Sequence, residues 1–204
     1  MPKTAAWLRN RGMNFENYIA GGTPLCCPNR STALTGRYPH NHGVLTNGGA
    51  NGGHRTFKRR GNENRTIAVA LKSVGYTTAF IGKYMNHYPS GKRGQVPPGW
   101  DHWHTLIMDL GCDECRGGQE TGYYYDYRLN QNGKVRRYGS KKSDYSTTVF
   151  TRLARKIIVG TPDSQPLFIW VNPMAPHGPW TPGPGDKKKK VPSAFKTPAF
   201  NRAG

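Results

Sequence analysis

Thr66-Ile-Ala-Val-Ala-Leu-Lys-Ser-Val-Gly75 runs directly into Tyr76-Thr-Thr-Ala-Phe-Ile-Gly82. In the first part Ile67, Ala70, Leu71 and Val74 fall at i, i+3, i+4 and i+7, which is one face of a helix. Thr66 can cap that helix and Gly75 can end it. The second part is rich in β-branched and aromatic residues and reads as a strand. The same order recurs downstream. Val149, Leu153 and Ile157 mark one face of a helix over about 145–158, with Ser143 or Asp144 ahead of it. Pro166 to Asn172 (PLFIWVN) is then a short apolar run of the kind found in buried strands. Helix then strand, twice, predicts an α/β sheet. Ala5, Leu8 and Met13 give a weaker helical signal over 4–12. Residues 86–142 are dominated by Gly, Pro, Tyr and charge, and predict long loops with a hairpin at Asn132-Gly133.

Composition narrows the possibilities. The chain has 204 residues, 30 Lys+Arg and 11 Asp+Glu, for a net charge of +19. Hydrophobic residues make up 35%, and 26 Gly and 16 Pro imply a loop-rich fold. The longest apolar runs, Thr66 to Leu71 and Pro166 to Val171, fall far short of the roughly 20 residues of a membrane-spanning helix. The opening MPKTAAWLRNRGM has no apolar core of the signal-peptide kind. The excess positive charge fits a polyanionic partner, or equally a piece of a larger protein whose remainder is acidic. Lys187 to Lys190 reads as a solvated run, and residues 183–204 as a Lys/Pro-rich tail expected to be disordered, behind a domain spanning 1–182.

The chemistry is concentrated in Thr23-Pro-Leu-Cys-Cys-Pro-Asn-Arg-Ser-Thr-Ala-Leu-Thr-Gly-Arg-Tyr-Pro-His-Asn-His-Gly43. Pro28 suits the first position of a short helix and Gly36 its end. Cys26 and Cys27 then sit at the helix N-terminus, where unpaired N–H groups and the dipole favour an anion. Arg30 lies in the first turn and can reach the same anion as a bidentate donor. This is a reactive side chain beside an oxyanion site, suited to a sulfuryl or phosphoryl ester. The plainer alternative is a pair of buried structural cysteines before an ordinary helix.

Cys26-Cys27-Pro28-Asn29-Arg30 with Leu34-Thr35-Gly36-Arg37 resembles the signature of the type I sulfatases. In that family the first Cys of the motif is converted to formylglycine, which puts the modification at Cys26; Asn29 stands where the family usually has Ser. Tyr38-Pro-His-Asn-His-Gly43 and Val96-Pro-Pro-Gly-Trp-Asp101 resemble the branch of N-acetylglucosamine-6-sulfatases and heparan endosulfatases. Gly75 to Tyr84 resembles the second sulfatase signature, whose Lys, here Lys83, binds the sulfate. Phe168-Ile-Trp-Val-Asn-Pro-Met-Ala-Pro-His177 resembles the block whose His contacts it too.

The resemblance implies an alkaline-phosphatase-like sulfatase fold, a mostly parallel sheet flanked by helices, incomplete at both ends. It implies Cys26, Arg30, Lys83 and His177 as catalytic residues. In mechanism, hydrated formylglycine would attack sulfur through one hydroxyl, and the other would help expel sulfate by restoring the aldehyde. It implies a sulfated saccharide as substrate and a formylglycine-generating enzyme as a partner. It also implies calcium, held in the family by paired Asp residues near its N-terminus and a later Asp-Asn pair. Of these ligands this chain would retain only residue 26, as formylglycine, so little activity is expected of it alone. Family members are mostly secreted, periplasmic or lysosomal.

Smaller features leave choices open. His40 and His42 fit either a substrate pocket or loop packing. Met85 stands where many sulfatases have a His, and Asn86 or His87 can take that place. His54, Arg55, Lys58, Arg59 and Arg60 read as a basic loop, either solvated or facing an anionic polysaccharide. Cys112 and Cys115 fit a local disulfide or free thiols, with no second pair for zinc. Asn64-Arg-Thr66 matches a glycosylation sequon. A non-catalytic polyanion-binding protein is the alternative to the hydrolase; no nucleic-acid-binding motif is present, and no membrane partner is expected.

Overall fold

The structure, a computed structural model, describes residues 2–17, 19, 22–108 and 123–187. Cys112, Cys115 and residues 188–204 of the tail lie outside the described residues. The N-terminal helical signal appears as α1 (Pro2–Thr4) and a π turn at Ala5–Arg9. Next come α2 (Cys26–Thr35), α3 (Pro39–His42), α4 (Gly53–Arg59) and α5 (Ile67–Ser73). Then follow β1 (Thr77–Gly82), β2 (His102–Leu106), β3 (Arg128–Gln131), β4 (Lys134–Arg137), α6 (Ser146–Gly160) and β5 (Leu167–Asn172). Among the described residues no helix is long and apolar enough to cross a membrane.

The strands form one sheet in the order β4-β3-β2-β1-β5. β1 lies parallel to β2 on one side and to β5 on the other, paired from Thr77 with Leu167 to Gly82 with Asn172. β3 runs antiparallel to both β2 and β4. The predicted α/β class is present, with a parallel half and an antiparallel ladder in one sheet. The two-residue turn between β3 and β4 has Asn132 at φ 50° and Gly133 at φ 91°. Positive φ at both central residues matches the strands' own twist, as Asn-Gly predicts.

Strand alternation divides the core into two layers. Phe80 of β1 faces a layer with Tyr84, Trp100 and Trp103, joined by residues of α2, α4 and α5. Ala79 and Ile81 face the opposite layer, with Leu106, Leu129 and the apolar stripe of α6, Val149, Phe150 and Ile157. Thr66 caps α5, its hydroxyl accepting from the Val69 N–H at 3.4 Å.

Two sequence expectations are corrected. Residues 102–106 form a central strand within the stretch that reads as loops. Its period-2 pattern buries Trp103 and Thr105 and leaves His102 and His104 half-buried, so the histidines hide the apolar alternation. Residues 54–59 form most of α4 rather than a loop. Phe57 anchors that helix in the core, and His54 is enclosed with its Nε2 2.9 Å from the Glu63 Oε1.

Candidate active site

The site lies at the carboxyl end of β1. Gly82 ends the strand at φ 104°, and a Cβ there would collide with the Asn172 carbonyl of β5. Only glycine lets the two parallel strands stay this close at their ends. The following N–H, of Lys83, donates to that same carbonyl at 2.9 Å. Lys83 is 4% exposed, and its Nζ lies 3.6 Å from the Cys26 Sγ. Carboxyl ends of parallel strands are where ligands bind in open α/β sheets.

Helix α2 supplies the facing wall. Cys26 is its first residue and is half-buried, whereas Cys27 is fully enclosed. The helix begins two residues earlier than Pro28, and Gly36 closes it in the left-handed conformation at φ 66°. Cys27 is the structural cysteine of the pair. Its N–H donates to the Asn47 Oδ1 at 2.8 Å, and its sulfur accepts from the Asn86 N–H at 3.3 Å. Burial pushes the Cys27 thiol above its ordinary value, against the opposing effects of the Asn86 N–H and the Lys83 and Arg30 charges.

The helix start is a weaker anion hole than the sequence alone suggests. The Cys27 N–H is taken by Asn47, Pro28 has none, and the Asn29 N–H donates to the Leu25 carbonyl at 3.0 Å. The positive field at Cys26 therefore comes mainly from side chains. Arg30 donates to the Lys83 carbonyl at 2.6 Å, which ties α2 to the end of β1 and holds the guanidinium next to the ammonium-bearing residue. Burial pulls Arg30 below its ordinary value, while Cys26 and Cys27 oppose the shift. Two cationic side chains and one accessible sulfur thus meet in one place.

The other candidates fall differently. His177 sits in the segment after β5, at the same end of the sheet. Its ring is exposed, and its Nδ1 donates to the Gly178 carbonyl at 2.9 Å. It makes no hydrogen bond with Cys26, Arg30 or Lys83. Tyr124 anchors this segment through its hydroxyl to the His177 carbonyl at 2.6 Å. His42 takes the packing role of its two alternatives. Its ring is buried, Nδ1 accepting from the Val44 N–H and Nε2 donating to the Thr32 hydroxyl, both at 3.1 Å. His40 is exposed and stacks on the Tyr38 ring. Met85 is fully buried in the aromatic layer. Asn86 uses its backbone on Cys27 and His54, while its side-chain Oδ1 is buried with no partner among the described residues. Asn47 was not singled out by sequence; the Thr-Asn-Gly-Gly run around it shows only a turn.

The residues at the site do not compose a calcium centre. Among the described residues no three His, Cys, Asp or Glu side chains gather, and Cys26 faces cations rather than carboxylates. A hard divalent ion needs several oxygen ligands.

Comparisons with known proteins identify the family. The sulfatase family model matches residues 1–198, and the chain belongs to the sulfatase family. It is 34% identical to human N-acetylglucosamine-6-sulfatase over 194 residues, 92% of this chain and 33% of that protein. It is 33% identical to the Drosophila melanogaster extracellular sulfatase SULF-1 homolog over 186 residues, 88% of this chain and 15% of that protein. The chain thus spans a third or less of these relatives' lengths. Among solved structures it is similar to BT4656 in complex with its substrate D-glucosamine-2-N,6-O-disulfate, with a TM-score of 0.50 and 25% identity. That likeness covers 82% of this chain and 27% of the other. The sheet described above is part of the alkaline-phosphatase-like fold of the sulfatases.

Proposed function

We propose that this chain carries the sulfate-ester-binding half of a sulfatase active site, acting on a sulfated sugar such as N-acetylglucosamine 6-sulfate. The observation that carries the reading is the meeting of Cys26, Arg30 and Lys83, from segments more than fifty residues apart in sequence. A sulfate ester presents oxygens that accept from an ammonium and a guanidinium together, and burial of both cations strengthens those bonds. Similarity to human N-acetylglucosamine-6-sulfatase supports the choice of sugar.

Cys26 is the residue to be converted to formylglycine by a generating enzyme; when formed, the hydrated aldehyde supplies the nucleophilic oxygen. Lys83 and Arg30 hold the sulfuryl oxygens and stabilise charge that spreads over them as sulfur is attacked. His177 is the fourth group. With Nδ1 donating to Gly178, Nε2 is the nitrogen left for the substrate. Asn86 borders the sugar, whereas His40 and His42 are not assigned to it. Because no carboxylate cluster surrounds Cys26 among the described residues, the chain by itself binds the ester and turns it over little.

The test has two parts. Peptide mass spectrometry on chain produced alongside a formylglycine-generating enzyme reads the mass lost when the Cys26 CH2SH becomes an aldehyde. Titration of the chain with N-acetylglucosamine 6-sulfate reads binding, which K83A and R30A are expected to weaken. Ester binding indifferent to both variants, with equal salt-sensitive binding to heparin and DNA, would favour the simple polyanion binder instead. Clear calcium-dependent ester hydrolysis by the chain alone would overturn the low-turnover part.

A further inference from the structure

Beside the Cys26 site, a cavity of about 660 Å³ opens between α4 and the loop after β1, lined by Arg55, Arg59, His87 and Ser90 over a glycine floor. That volume lies within the roughly 300–1,000 Å³ of small-molecule sites. It adjoins the catalytic site through a short chain of contacts. Cys27 bonds the Asn86 N–H, and Asn86 leads directly into His87 on the cavity wall.

The wall is constructed rather than incidental. His87 holds a positive φ of 64°, an uncommon conformation for a non-glycine residue. Of the two glycines in the floor, Gly49 holds φ 71° with open space around a Cβ, whereas Gly52 and the glycines behind it, Gly48 and Gly53, are crowded. A Cβ on Gly48 would come within 2.9 Å of the His87 Nε2, one on Gly53 within 3.1 Å of its Cδ2, and one on Gly52 would collide with the Gly48 carbonyl. The same loop is fixed from behind at Tyr88 and Ser90. The His54 Nδ1 accepts from the Ser90 N–H at 2.9 Å, and the Ser90 hydroxyl lies 2.8 Å from the same nitrogen. Tyr88 is held by Trp103 and Asn130, each donating to its hydroxyl at 2.7 Å. With its acceptor nitrogen engaged by a backbone N–H, His54 anchors the loop and is no base for Ser90.

The charge of this cavity is one-sided. Arg59 donates to the Ala50 carbonyl at 2.8 Å and so stays over the floor, while the Arg55 side chain has no hydrogen bond or ion pair among the described residues. The acid nearest in sequence, Glu63, is 6% exposed and engaged by His54, so it does not offset the arginines from the surface. A second cavity continues along the same helix and loop, lined by Lys58 and Lys92.

We infer that the Arg55–Arg59–His87 cavity binds a second anionic group, a sulfate or carboxylate on the saccharide whose ester sulfate sits at Cys26. The chain therefore selects multiply charged saccharides over a singly sulfated sugar. This inference rests on the reading of the Cys26 site given above. Arginine forks match sulfate and carboxylate alike, and Ala50 with Pro89 offers an apolar bed for a sugar ring.

The experiment compares two probes on the full chain: N-acetylglucosamine 6-sulfate, and a heparin tetrasaccharide. The expected result is that R55A/R59A weakens tetrasaccharide binding at least about tenfold and leaves the monosaccharide unchanged. R55K/R59K should restore part of the loss. K83A should weaken both probes. A control pair on the far hairpin, R136A/R137A, should leave both alone. Tetrasaccharide binding unchanged in R55A/R59A overturns the inference, and so does an equal loss in R136A/R137A, which would mean diffuse charge attraction. If K83A leaves both probes unchanged while R55A/R59A still weakens the tetrasaccharide, the cavity stands and the Cys26 reading fails.

Discussion

Lys83 places its ammonium 3.6 Å from the sulfur of Cys26, a residue 57 positions earlier in the chain. Only the end of β1 and the start of α2 bring them together, and Arg30 fastens the junction through the Lys83 carbonyl. Removing the ammonium takes away a charge-assisted hydrogen bond to any sulfate held there. K83A is therefore expected to cost about 1.5–3 kcal/mol of ester affinity, roughly tenfold to a hundredfold. Lys83 is buried but its removal leaves no unpaired charge behind, so the melting temperature should change much less than the affinity. Titration calorimetry beside a thermal melt separates the two effects.

Gly82 is a sharper test of how the strand delivers that lysine. Its positive φ and its closeness to the Asn172 carbonyl both exclude a side chain. G82A must push β1 from β5 or rotate the peptide that carries Lys83. The expected cost is more than about 1 kcal/mol of stability, together with weakened binding of N-acetylglucosamine 6-sulfate. A variant that melts earlier yet binds the ester normally would show that the strand end does not control the position of Lys83.

The parts of the fold readable in sequence are those where local pattern and tertiary role coincide. Thr66 to Gly82 announces a capped helix and a strand because Thr66, Gly75 and the apolar spacing all say the same thing. Asn132-Gly133 announces its turn because few other pairs adopt two positive φ angles. Strand β2 escaped because its identity depends on neighbours: Trp103 fits between Phe80 and Tyr84, which no local window reveals. At the site, Cys26, Arg30 and Lys83 were legible through motif order. The use of the Cys27 N–H by Asn47 was not, since a side chain twenty residues away decides it. His42 was ambiguous for the same reason. One partner, Thr32, is supplied by the packing of α2 on α3, while the other, Val44, lies two residues further along the chain.

Asn47 carries a prediction of its own. Its carboxamide oxygen accepts the Cys27 N–H, one of the amides a helix start leaves without an internal partner. N47A removes an acceptor at a fully buried residue, with an expected cost of about 1–2 kcal/mol. N47D should retain the bond and most of the stability. Urea unfolding of the three chains distinguishes this from a loop substitution of no consequence, in which all three midpoints would coincide.

Phe80 tests the aromatic layer beneath the site. It is 1% exposed and contacts the rings of Tyr84, Trp100, Trp103 and Trp170. Truncation leaves a cavity among large rings that cannot collapse without breaking their edge contacts. F80A is expected to destabilise by about 3–5 kcal/mol. F80L, closer in volume, should lose less. Equal losses for the two would mean that ring geometry, not volume, sets the cost.

His104 makes stability depend on pH. Burial lowers it from 6.5 to about 4, with His102 and Lys156 adding repulsion, and its Nδ1 is buried without a partner among the described residues. The unfolded chain therefore takes up this proton near pH 6.5, while the folded chain refuses it until about pH 4. Above pH 6.5 neither state is protonated and the group has no effect. As pH falls through that interval the unfolded state binds more protons, so stability drops progressively, by at most about 3 kcal/mol. Below about pH 4 both states are protonated and the loss levels off. Asp101 acts in a different interval. Burial works to raise its carboxyl, but the bonds from Lys72 and Thr78 prevail and hold it below 3.8, so its contribution is lost only in stronger acid. H104Q cannot titrate, and its unfolding free energy should stay flatter than that of the parent chain between pH 6.5 and 4. Parallel curves for the two proteins across that interval would assign the acid sensitivity to other groups.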